Sequence, residues 1–77
     1  MVRLKNIKIA NGIAEADFYP EESTIAGHIV VDVTSHEIIS CKEVPGYGES
    51  YKGHSKWHLI RMAKANETAT ERTVMWY

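Results

Sequence analysis

The chain has 77 residues, with 9 Lys and Arg against 10 Asp and Glu, a net charge of -1 and one cysteine. That length holds one domain, residues 1–77, and the near-balance of charge excludes both a uniformly basic nucleic-acid binder and an acidic disordered tail. A domain of this size buries only roughly 60% of the surface its unfolded chain exposes, which favours a shallow surface site over a deep pocket.

No stretch nears the roughly 20 apolar residues of a membrane span. The opening Met1-Val2-Arg3-Leu4-Lys5-Asn6 interleaves charged and apolar side chains where a signal peptide needs an apolar run. A soluble cytoplasmic protein with no membrane partner is expected. The lone Cys41 has no internal disulfide partner, which agrees with a reducing compartment.

In chain order, residues 3–10 carry Ile7 and Ile9 at alternate positions, Asn11-Gly12 follows, and residues 13–19 continue with Glu15 and Asp17 interleaved. Asn-Gly accepts the positive φ at both central positions of a type I′ turn, so this stretch is expected to be a hairpin with Ala14, Ala16 and Phe18 facing the core. Pro20 and the polar residues after it predict a loop over 20–24. Residues 27–34 are dense in β-branched side chains, with Ile29, Val31 and Val33 on one face, and predict a strand. A turn at Ser35-His36 leads to a further strand over 37–44, in which the adjacent Ile38 and Ile39 leave the facing ambiguous.

Pro45-Gly46-Tyr47-Gly48 ends the strand block, and the period then changes to that of a helix. Leu59, Ile60, Met62 and Ala63 fall on one helical face, which predicts a helix over 54–66. Either Ser50 or Ser55 suits the N-cap; the later start is preferred because Gly53 inside a helix costs about 1 kcal/mol relative to Ala. Residues 72–77 are apolar and β-prone, and predict a terminal strand that ends in Trp76-Tyr77. The expected fold is therefore a small α+β domain in the order ββββαβ. Two hairpins and a C-terminal strand form a mainly antiparallel sheet of about five strands, with one helix packed on one face.

Charge is unevenly spread along the chain. Arg3, Lys5 and Lys8 open it, residues 12–51 carry acids with Lys42 alone of opposite sign, and Lys52, Lys56, Arg61 and Lys64 follow. This predicts a charge dipole. On the helix, Trp57, Arg61 and Lys64 share a stripe, with Lys56, His54 and His58 adjoining it. Such a stripe can hold phosphates while the indole stacks on a base, although a solvated helix face has the same composition. Tyr47 and Tyr51, in the glycine-punctuated loop before the helix, can either contact a protein or tuck against the core. The glycine spacing there matches no phosphate-binding loop.

Catalytic and metal-binding constellations are weak. His54 and His58 are spaced to share one helix face, but a zinc site needs three or four ligands, so no metal or other cofactor is expected. Cys41 lies in a predicted strand, away from the helix N-terminus or base that would activate a thiolate, and is read as a small apolar side chain. Glu15 and Asp17 are more simply cross-strand partners of Lys5 or Lys8 than an acid/base pair. His28 and His36 are read as turn or solvent-face residues.

These observations predict a noncatalytic protein-interaction or regulatory module that self-associates or binds a protein partner through a sheet edge, for which the C-terminal strand with its Trp76-Tyr77 ending is the candidate, or through the basic helix face. The alternative is nucleic-acid binding through Trp57, Arg61, Lys64 and their neighbours.

Overall fold

Asn11 and Gly12 have φ of 54° and 77°, the positive values that a type I′ turn needs at both centres. They join β1 (Val2–Ala10) to β2 (Ile13–Pro20) as the expected hairpin. β3 (Gly27–Asp32) and β4 (Glu37–Lys42) form the second. After α1 (Ser50–Lys64) the chain ends in β5 (Arg72–Val74). The computed structural model describes residues 1–75; the Trp76-Tyr77 end of the expected strand lies outside the described residues.

All strand pairs are antiparallel, in the order β4-β3-β2-β1-β5. The architecture is thus the expected α+β arrangement, ββββαβ. The helix connection carries the chain from one side of the sheet to the other, so β5 pairs with β1 and the two outer strands are β4 and β5.

One face of the sheet takes the core. Ala14, Ala16 and Phe18 of β2 and Ile29 and Val31 of β3 are buried there, as the alternation predicts, against Leu59, Ile60 and Met62 of α1. β1 keeps its apolar side chains on this face only because it contains a bulge. Lys5 pairs with Asp17 but Lys8 with Glu15, so Asn6 and Ile7 stand in the space of one residue. Asn6 takes φ 54°, a left-handed conformation that Asn tolerates better than most side chains. The bulge lets Leu4 and Ile7, three apart and so on opposite faces of a regular strand, both be buried.

Several boundaries differ from expectation: β2 runs on through Pro20, which was expected to open the loop. β3 ends at Asp32, because the Asp32 carboxylate accepts hydrogen bonds from the backbone N–H of Thr34 (2.8 Å) and Ser35 (3.1 Å) and folds the chain into a turn. β4 stops at Lys42, before Val44 turns into the core from the following loop. The helix starts at Ser50 rather than His54, with Glu49 at the cap position and no capping side-chain bond. Its first turn is held by packing: Tyr51 lies edge-on to Tyr47 at 5.6 Å and both rest on the core. Ser55 is not a cap but a buried helical residue whose hydroxyl donates to the Tyr51 carbonyl at 2.7 Å. At the other end Asn66, at φ 55°, closes the helix, with Glu67 N–H bonding Met62 C=O at 3.0 Å and Asn66 N–H bonding Ala63 C=O at 3.2 Å. This is a Schellman ending, and it stops the helix at Lys64 rather than at Asn66.

Candidate interaction surfaces

The antiparallel register sets the basic β1 beside the acidic β2, while the basic residues of α1 lie outside the ladder. Lys5 stands opposite Asp17 and Lys8 opposite Glu15, on the sheet face away from the helix. The close partner of these acids is His28, however. Its Nδ1 is 2.7 Å from Asp17 Oδ1, and its Nε2 is 4.0 Å from Glu15 Oε2. Arg3 and Lys5 lean on the Tyr19 ring, at 5.1 and 5.7 Å from its centroid. This face is a mixed polar surface rather than a field of one sign.

On α1 the predicted stripe is present. Arg61 and Lys64 are exposed and Trp57 is 49% exposed. The group nevertheless divides. Trp57 is held between Lys56, whose Nζ is 4.5 Å from the indole, and the ring of His36, edge-on at 5.4 Å from the β3–β4 turn. Arg61 and Lys64 instead line a shallow cleft of about 500 Å³ with His58, Met62 and Glu67. Lys56 and His54 are half-buried.

His58, expected to adjoin the basic stripe in solvent, is turned inward. Neither ring nitrogen is accessible or has a hydrogen-bond partner, and burial, followed by Arg61 and Arg72, pushes its pKa down. The segment after the helix lies nearby: Arg72, which pairs with Glu67, and Glu67 itself both act on the charge of the ring. Among the described residues no group of three or more His, Cys, Asp or Glu side chains is placed to hold a metal ion.

Tyr47 and Tyr51 pack against the core, and Tyr51 bonds Glu21, which limits the surface they offer to another molecule. Cys41 is half-buried in β4, and burial raises its pKa and keeps it a thiol. No described helix is long and apolar enough to cross a membrane.

The edge that the sequence did not single out is β4; the expected candidate was the C-terminal strand, whose Trp76-Tyr77 end lies outside the described residues. β4 is an outermost strand of six residues, against three for β5. The helix packs over β1, β2, β3 and β5 and hardly reaches it. Ile38 and Cys41 are only half-buried, and Ile39 is 55% exposed. The register to β3 shifts between Val30 and Val31, which pair with Ser40 and Ile38, so Ile39 is the extra residue of a second bulge. The signal was in the sequence: of two adjacent isoleucines a regular strand can send only one to the core.

No family model matches the chain, and no curated protein or solved structure is significantly similar to it.

Proposed function

We propose that the chain is a noncatalytic, cytoplasmic protein-interaction module whose docking surface is the free edge of β4. The single observation that carries this reading is the combination found there: an outermost strand of six residues, largely uncovered by the helix, with Ile39 55% exposed. An edge of this kind offers backbone N–H and C=O groups to an added strand, while alternate side chains supply selectivity. The second edge, β5, is short, and an incoming strand would find few backbone groups along it.

A second reading, nucleic-acid binding through α1, draws on the exposed stripe of Trp57, Arg61 and Lys64. It has less support, because Lys56 already lies over the indole that would stack on a base.

Capture of partners by the tagged protein from a lysate, with and without nuclease, separates the two. The edge reading expects a nuclease-resistant protein partner that is retained by an Arg61→Glu, Lys64→Glu double variant and lost with Ile39→Lys, a substitution at an exposed position. Nuclease-sensitive capture of nucleic acid, lost only with the double variant, would replace it with the helix-face reading.

A further inference from the structure

The faces of β4 restrict what can add to it. Residues paired across a ladder lie on the same face. Cys41 pairs with Ile29 and Ile38 with Val31, so Cys41 and Ile38 are on the core side. Lys42 pairs with His28, Ser40 with Val30 and Glu37 with Asp32, so these three are on the open side. In a regular strand Glu37 and Lys42 would lie on opposite faces. The bulge at Ile39 puts both on one face, at the two ends of the strand.

An antiparallel partner of identical sequence must match these faces under a two-fold axis. With the axis between Ile39 and Ser40, Glu37 of each copy meets Lys42 of the other, Ile38 meets Cys41, and Ile39 meets Ser40. Core-side residues then oppose core-side residues, and opposite charges meet at both ends. A shift of one residue either way sets core-side against open-side residues. Centring on Cys41 keeps the faces but leaves Glu37 without Lys42.

Building on the edge reading above, we infer that β4 pairs with β4 of a second copy in this register, joining the two five-stranded sheets into one continuous sheet. The interface is isologous, each surface being its own complement. It covers the exposed Ile39 and the thinly covered flank of the core at Ile38 and Cys41.

Sedimentation of wild type and charge variants at low salt tests this. Glu37 and Lys42 are exposed, so substitutions there leave the fold intact. Wild type is expected to form a dimer. Glu37→Lys and Lys42→Glu each set like charges together at both ends and weaken it by roughly tenfold. The double swap restores it, and an equimolar mixture of the two single variants forms a mixed dimer tighter than either variant alone. A protein that stays monomeric at millimolar concentration overturns self-pairing and makes the bulge a device that blunts the edge. A dimer indifferent to these charges overturns the register. Either failure leaves the edge reading to its own test, the loss of partner capture with Ile39→Lys.

Discussion

Asp17 and His28 are bonded across adjacent strands of the open sheet face, with Oδ1 2.7 Å from Nδ1. The other carboxylate oxygen accepts from Asn6 Nδ2 at 2.8 Å, which ties the β1 bulge to the same acid. His28 first, then Asn6, holds the Asp17 carboxyl below its ordinary pKa. A lowered folded pKa means stabilisation that is present above the unfolded value, near 4, and is lost as pH falls through the folded one. Asp17→Asn is expected to cost less than about 1 kcal/mol at pH 7, the scale of a solvent-screened pair. The difference from wild type should shrink below about pH 4 in urea titrations. A difference independent of pH would contradict this account.

His58 works in the opposite chemical direction with the same sign. Its folded pKa is depressed, chiefly by burial. Below about pH 6.5 the unfolded chain therefore takes up a proton that the folded protein resists, and stability falls as pH drops toward the folded value. Because neither ring nitrogen has a partner, an apolar ring of similar shape leaves no bond broken. His58→Phe should be within about 1 kcal/mol of wild type at pH 7. It should lose less stability than wild type between pH 6.5 and 5, as read by thermal melts. A variant that loses stability with acid just as wild type does would show that His58 is hydrated in solution.

Two glycines make a paired test of packing. A Cβ at Gly27 would meet the Phe18 ring and stand 2.5 Å from the Lys42 carbonyl oxygen, whereas one on Gly53 meets nothing within 4 Å. Gly27→Ala should destabilise by about 2–3 kcal/mol through overpacking and displacement of β4. Gly53→Ala, in the helix, should stabilise by about 0.5–1 kcal/mol. Chemical denaturation measures both, and equal effects would contradict the register of Gly27 against Phe18.

The legible parts of the fold were those set by local rules. The Asn11-Gly12 turn follows from positive φ, the burial of Ala14, Ala16 and Phe18 from alternation, and that of Leu59, Ile60 and Met62 from helical spacing. The two bulges were not legible, because each depends on which residue a neighbouring strand presents. Ile7 is buried only through the extra residue Asn6, and Glu37 and Lys42 share a face only through Ile39. The start of the helix depends on Tyr51 meeting Tyr47 and the core, which outweighs the cost of Gly53. On the surfaces, the exposed stripe of Trp57, Arg61 and Lys64 followed from spacing. The turning-in of His58 toward Glu67 and Arg72, and the approach of His36 to Trp57, depend on contacts between distant segments.

The most direct test of β4 as the edge that pairs with a second copy is amide hydrogen exchange followed as protein concentration rises. The account predicts growing protection within Glu37–Lys42 while Arg72–Val74, on the other edge, keeps its dilute-solution rates. Unchanged exchange in β4, or protection gained at β5 instead, would contradict it.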